Sequence, residues 1–202
     1  MTSTRTGVRG GGSGVPAADP RDPRPLIGEP LSLDLLNTRW AGDPVNDLLA
    51  GPDGYAVWLS SVGLAGRCRA DEAGLSAART VRDALAAAVR SLDPAAPAET
   101  APEARAALND VLRRGRLRYE LGEAGPVESV EVDGPQWLAA WLAADDYLGL
   151  LGQGAHRIKQ CAHPACILHF FDTSQNGRRR WCSMAACGNR AKAARHYSRA
   201  KG

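Results

Sequence analysis

The sequence has no apolar run of about 18 residues, so nothing in it reads as a membrane-spanning helix. No apolar stretch follows Arg5 and Arg9, so the N-terminus does not read as a secretory signal. A cytoplasmic, reducing location is the expectation. Enzyme signatures are missing too. There is no phosphate loop, no G-x-G-x-x-G, no H-E-x-x-H and no nucleophile elbow. The four histidines, His156, His163, His169 and His196, all fall near the C-terminal end. Chemistry before them would have to use carboxylates or arginines. The acid pair Asp145-Asp146 would point about 100° apart on a helix. No enzymatic activity is expected. Aromatic residues make up only 5% of the chain while alanine is abundant, which favours helices.

Cysteine is the residue whose placement speaks. Four of the five cysteines form two pairs, Cys161-Ala-His-Pro-Ala-Cys166 and Cys182-Ser-Met-Ala-Ala-Cys187. Each pair closes a small loop and delivers two thiolates, and two such loops complete a tetrahedral site. Four thiolates leave no open position, so the metal reads as structural Zn2+. Disulfides, an iron–sulfur cluster or plain buried thiols would use the same residues. The remaining cysteine, Cys68, stands alone.

The second pair runs on into Cys187-Gly188-Asn189-Arg190. Gly188 can take positive φ beside a thiolate, and Asn189 can hydrogen-bond around the metal or cap a turn. These four residues, with Phe171-Asp172-Thr173-Ser174-Gln175-Asn176-Gly177-Arg178-Arg179-Arg180-Trp181-Cys182 before them, resemble the CGNR zinc finger. The earlier run Leu33-Asp34-Leu35-Leu36-Asn37-Thr38 resembles the opening of the ABATE domain, which precedes that finger in its family. The resemblance implies a stress-induced transcription regulator that binds zinc.

Charge divides the chain at the same place. Residues 1–154 hold 15 basic and 21 acidic residues, a balance of −6. Residues 155–202 hold ten basic residues and one acid, Asp172, a balance of +9. Such a segment suits a polyanion. At roughly 100° per residue, Lys192, Arg195, His196 and Arg199 share one face of a helix after Cys187, with Ala193, Ala194 and Tyr197 turned toward the finger. Arg178, Arg179 and Arg180 lie just before the second cysteine pair, and their guanidinium forks suit phosphate oxygens. These seven cationic positions are the candidate nucleic-acid contacts, with DNA placed ahead of RNA. Arg190 falls on the opposite face and reads as structural, tied to Asp172 or to carbonyls of the body.

Three regions follow. Residues 1–24 are small and polar and are expected to be a disordered tail. Residues 25–154 are expected to form a helical ABATE-like domain, and residues 155–202 a treble-clef or ribbon-like finger ending in a basic helix. The class is α+β, mostly helical. Helices are expected over 53–62, from Asp71-Glu72 to about Leu92, over 101–114, and from Pro135 to about Gly152. Alternation over 117–121 and 127–132 predicts a hairpin. Asp34, Asn37 and Arg39 interrupt an apolar run. They are candidates for a small-ligand site, with a role in holding buried backbone as the other reading. The domain is expected to sense a ligand or form a homodimer. The reading from another class is a protein–protein adaptor that docks through the finger.

Overall fold

The structure, a computed structural model, describes residues 18–97 and 100–193 together with the backbone of residues 3–5. Helices dominate, with short antiparallel strand pairs, as an α+β class requires.

The body is built on α1 (Leu31–Leu36), α2 (Pro52–Ser61), α3 (Glu72–Arg90), α4 (Thr100–Leu112) and α5 (Leu138–Gly154). Each starts and stops for local reasons. Pro52 opens α2 at a position that needs no amide donor. At the head of α3 the Asp71 carboxylate accepts from Gly74 N–H at 2.9 Å, Glu72 suits the positive end and Arg90 the negative one. The buried stripe of α3, Leu75, Ala78, Val81, Leu85 and Val89, packs on α4 and α5. Trp141 of α5 donates its indole N–H to Leu112 O at 3.0 Å, closing the end of α4. Asp146, on the same helix, accepts from both Ser32 N–H (2.9 Å) and Ser32 Oγ (2.6 Å) and so fastens the start of α1.

The run at 31–36, which periodicity alone leaves between strand and helical turn, is a six-residue helix buried at five of its residues, Ser32, Leu33, Asp34, Leu35 and Leu36. A two-stranded ribbon, β2 (Arg39–Trp40) with β3 (Asn46–Asp47), follows it. The expected hairpin is present as β4 (Gly115–Gly122) and β5 (Gly125–Val132), with Leu117 opposite Val130. The backbone of β1 (Ser3–Arg5) pairs with the other edge of β5. Two last strands, β6 (Ile158–Gln160) and β7 (His169–Phe171), pair antiparallel and carry the chain into the cysteine-rich module.

The tail expected over 1–24 needs a correction at its C-terminal end. Asp19 and Arg24 are buried. Arg24 forks onto Asp22 and Asp34 at 2.7 Å each, and Ser61 Oγ donates to Asp22 at 2.7 Å. Composition marks these residues as polar, but their charges pair with one another and with α1 and α2. Residues 6–17 lie outside the described residues. Among the described residues, no helix is long and apolar enough to cross a membrane.

Candidate metal centre

Strand β6 ends at Gln160, so Cys161 leaves the ribbon at its tip, and Cys161 N–H still reaches Leu168 O at 2.9 Å to close the loop holding Cys166. The second pair arrives on a turn over Met184–Gly188, opened by Ser183, whose Oγ accepts from Ala186 N–H at 3.3 Å. All four sulfurs lie within 4.8 Å of one another and all four cysteines are buried.

The spacing tests the metal directly. Zinc–thiolate bonds of about 2.3 Å at a tetrahedral centre put sulfurs about 3.8 Å apart. The structure has Cys166 Sγ to Cys182 Sγ at 3.8 Å and Cys182 Sγ to Cys187 Sγ at 3.7 Å. A disulfide needs about 2.05 Å, so the pairs are not disulfides. Ionisation supports a cation as well. Burial opposes charge on Cys161, but N–H groups of Cys182 and His163 outweigh it and hold that thiol below its ordinary value. Burial pushes the Cys166 thiol up to about 11, with the neighbouring Cys161 and Cys187 sulfurs adding to it. Burial and the Cys166 sulfur push Cys182 up further still. Crowded sulfurs that oppose one another's charge, as at Cys166 and Cys182, are a site for a divalent ion, which removes that repulsion. Zn2+ fits, held by Cys161, Cys166, Cys182 and Cys187, and its role is to fix the fold of the module.

The CGNR zinc finger matches residues 157–200, and ABATE, described as "Putative stress-induced transcription regulator", matches residues 29–154, more than half of the chain. The chain belongs to the ABATE family. No curated protein matches it.

The zinc finger of this ABATE protein is seated on the body by its own strands. On β7, Phe171 turns into the body core with Ile158 of β6, while Phe170 turns to the cysteines. Phe170 is fully buried, so it packs and does not stack on a base. Leu26 and Trp40 of the body cover the cysteine cluster. Two polar clamps complete the seam. The Asn37 amide donates to His169 O at 2.9 Å and accepts from His169 N–H at 2.8 Å. Glu29 accepts from Phe171 N–H at 2.9 Å and from Arg179 at 3.2 Å. Burial holds the Glu29 carboxyl above its ordinary value.

The three ligand candidates do not converge. Asp34 accepts from Arg24, from Gly28 N–H at 2.9 Å and from the Trp58 indole at 3.1 Å. It also borders a cleft of about 430 Å³ with Glu29, Ser61 and Leu142. Asn37 is spent on the finger. Arg39 is a surface residue bridging Asp47 (3.0 Å) and Asp83 (3.1 Å). The reading that these groups hold backbone fits Asp34 and Asn37.

The cationic candidates divide. Arg178, Arg180 and Lys192 are exposed, and Arg180 lies over the Trp181 ring at 5.3 Å. Arg179 turns inward: it donates to Trp181 O, Cys182 O and Glu29 and lies over Phe170 at 4.2 Å. It is a strut, not a surface contact. Arg195, His196 and Arg199 lie outside the described residues, as do Ala194 and Tyr197. Ala193 is exposed, not turned onto the finger.

Arg190 is exposed and does not serve Asp172. Lys159 does, at 2.7 Å, and the same carboxylate accepts from Ser174 N–H, Ser174 Oγ and Arg179 N–H. Asp172 is fully buried, and although burial opposes its charge, these donors keep its carboxyl well below the usual range. Its loop turns at Gly177, where φ is +61, a conformation glycine adopts without strain. Gly188 is not in that region. It is buried, and a side chain there would displace Met184. Asn189 donates to Ala185 O at 3.4 Å within the same turn. Sequence reasoning missed Glu29, Lys159 and the buried Arg82, which pairs with Asp47 at 2.6 Å under Thr38. For Arg82 the available signal was a charge on the apolar stripe of its helix; Glu29 and Lys159 carried none.

Proposed function

We propose that this protein is a zinc-dependent nucleic-acid-binding regulator, not an enzyme, and that duplex DNA is the polyanion its finger engages. One observation carries the reading. The segment after residue 154 has a single acid, Asp172, and that acid is buried beneath the loop carrying Arg178, Arg179 and Arg180. The finger therefore offers solvent a surface without carboxylate side chains, on which Arg178, Arg180, Arg190 and Lys192 are exposed. The metal holds that surface in shape, so its cations approach phosphates with little ordering cost. The family's description as a transcription regulator agrees with it.

The adaptor reading has the basic helix either dock on an acidic partner or fold against the acidic body of its own chain, and only the second form can be weighed within this chain. The described start of that helix, residues 189–193, has Lys192 and Ala193 exposed. The finger reaches the body instead through β7, which leaves the arginine loop to solvent. A ligand sensed by the body would sit in the cleft beside Asp34 and Glu29; in support, Glu29 also grips Phe171 and Arg179 of the finger. Gel-shift titration of zinc-loaded protein against single-stranded DNA, duplex DNA and RNA tests the function. Retention of duplex DNA that disappears on chelation is the expected result. No shift on any probe refutes it.

A further inference from the structure

Strand β4 forms the outer edge of its sheet, whose order is β1-β5-β4, and no other described strand pairs with it. The register with β5 shows which backbone groups face outward. Asp133 N–H donates to Arg114 O at 2.8 Å, so Arg114 and Asp133 are a hydrogen-bonded pair. With the two-residue alternation of an antiparallel ladder, Arg116, Arg118 and Glu120 also turn their backbone groups to β5. Leu117, Tyr119 and Leu121 turn theirs to the free edge.

The same three residues place side chains on one face. Leu117 opposes the buried Val130 and packs against the core. Beyond it Tyr119 is 62% exposed and Leu121 is 89% exposed. Edge strands ordinarily avoid one another through lysine, proline, bulges or shortness. This one runs eight residues without proline, and its charges, Arg116, Arg118 and Glu120, are of both signs, so a register exists in which they do not repel.

We infer that β4 is a homodimer seam: it pairs antiparallel with β4 of a second copy about a two-fold axis at Tyr119, joining two three-stranded sheets into one of six strands. Charge complementarity selects the second copy as occupant. Centred on Tyr119, the register sets each Arg118 against Glu120 of the other copy and each Leu117 against Leu121 of the other copy. Every outward backbone group of Leu117, Tyr119 and Leu121 then has a partner. A register centred on Arg118 sets that residue against itself, and one centred on Leu117 sets Arg116 against Arg118. Both place like charges directly opposite, which is unfavourable.

The test uses the full zinc-loaded chain and two charge reversals, Arg118→Glu and Glu120→Arg. Both side chains are more than half exposed, at 56% and 57%, so far-UV circular dichroism should match the parent. Mass is followed by light scattering across a concentration series. The parent should be a dimer. Each variant alone carries two like-charge pairs at the seam and should dissociate roughly 30-fold more readily. An equimolar mixture restores opposite charges at all four positions and should dimerise like the parent. Oxidation of Tyr119→Cys should give a covalent dimer linked at that position, since hydrogen-bonded partners sit about 5.5 Å apart at Cα. Leu121→Cys should not, because its two copies lie about 14 Å apart. A parent that stays monomeric throughout, variants as dimeric as the parent, or a mixture no tighter than its components would overturn the seam.

Discussion

Replacing Asn37 by Ala isolates the joint between finger and body. Asn37 is 1% exposed and makes two bonds to one backbone unit, at 2.9 Å to His169 O and 2.8 Å from His169 N–H. A made hydrogen bond contributes only about 1 kcal/mol net, but an abandoned buried donor or acceptor costs about 1–3 kcal/mol. With both groups of His169 abandoned, Asn37→Ala should destabilise the fold by about 2–4 kcal/mol. That corresponds to a fall in Tm of roughly 4–16 °C for a chain of this size. Urea melts at saturating zinc measure it, and zinc transfer to a chromogenic chelator should accelerate in the same variant. Asn37→Asp separates the two bonds. The new carboxylate still accepts from His169 N–H but faces His169 O without a proton. Its neutral form can donate there, so the folded state raises its pKa. The variant should therefore regain stability at low pH and lose it as pH rises through that value. A melt of Asn37→Ala within about 0.5 kcal/mol of the parent, the scatter of neutral surface changes, would refute the clamp.

Other outcomes follow from the same contacts. Burial holds His169 down at about 4, so the unfolded chain binds the extra proton between that value and about 6.5. Stability should thus be full above that window and fall by about 1–3 kcal/mol as pH drops through it, and His169→Gln should flatten the profile in urea melts. Cys182→Ser should abolish the stoichiometric zinc, about one per chain, that elemental analysis finds in the parent; retained zinc would contradict the four-sulfur site. Arg24→Met leaves Asp22 and Asp34 buried without their cation and should cost about 3–5 kcal/mol in the same melts, which a dispensable tail would not.

The sequence exposed the parts of this fold that depend on local pattern. The α3 helix with its start at Asp71-Glu72, the hairpin and the cysteine pairs each follow a spacing set by one element's own geometry. What pattern could not show was partnership across distance. Asn37 and His169 are 132 residues apart, and nothing at either end names the other. Arg179 sits in a run of three equal arginines, yet alternation along the loop turns only its neighbours outward while Glu29 and Phe170 draw it in. Arg24 lies in a stretch that composition alone assigns to a tail. Each was obscured because a polar or charged residue is usually solvated, and these are turned inward by partners that only the fold supplies.

In the proposed function, the zinc-held finger presents Arg178, Arg180 and Lys192 to the phosphates of duplex DNA. Its most direct test is the salt dependence of binding, comparing the parent with the Arg178→Ala, Arg180→Ala, Lys192→Ala triple variant at equal zinc content. Each phosphate contact contributes about −0.9 to the slope of log K against log salt. The parent should bind in a metal-dependent way, and the variant should show a slope flatter by about three units. Equal affinity of the two proteins at every salt concentration would contradict it.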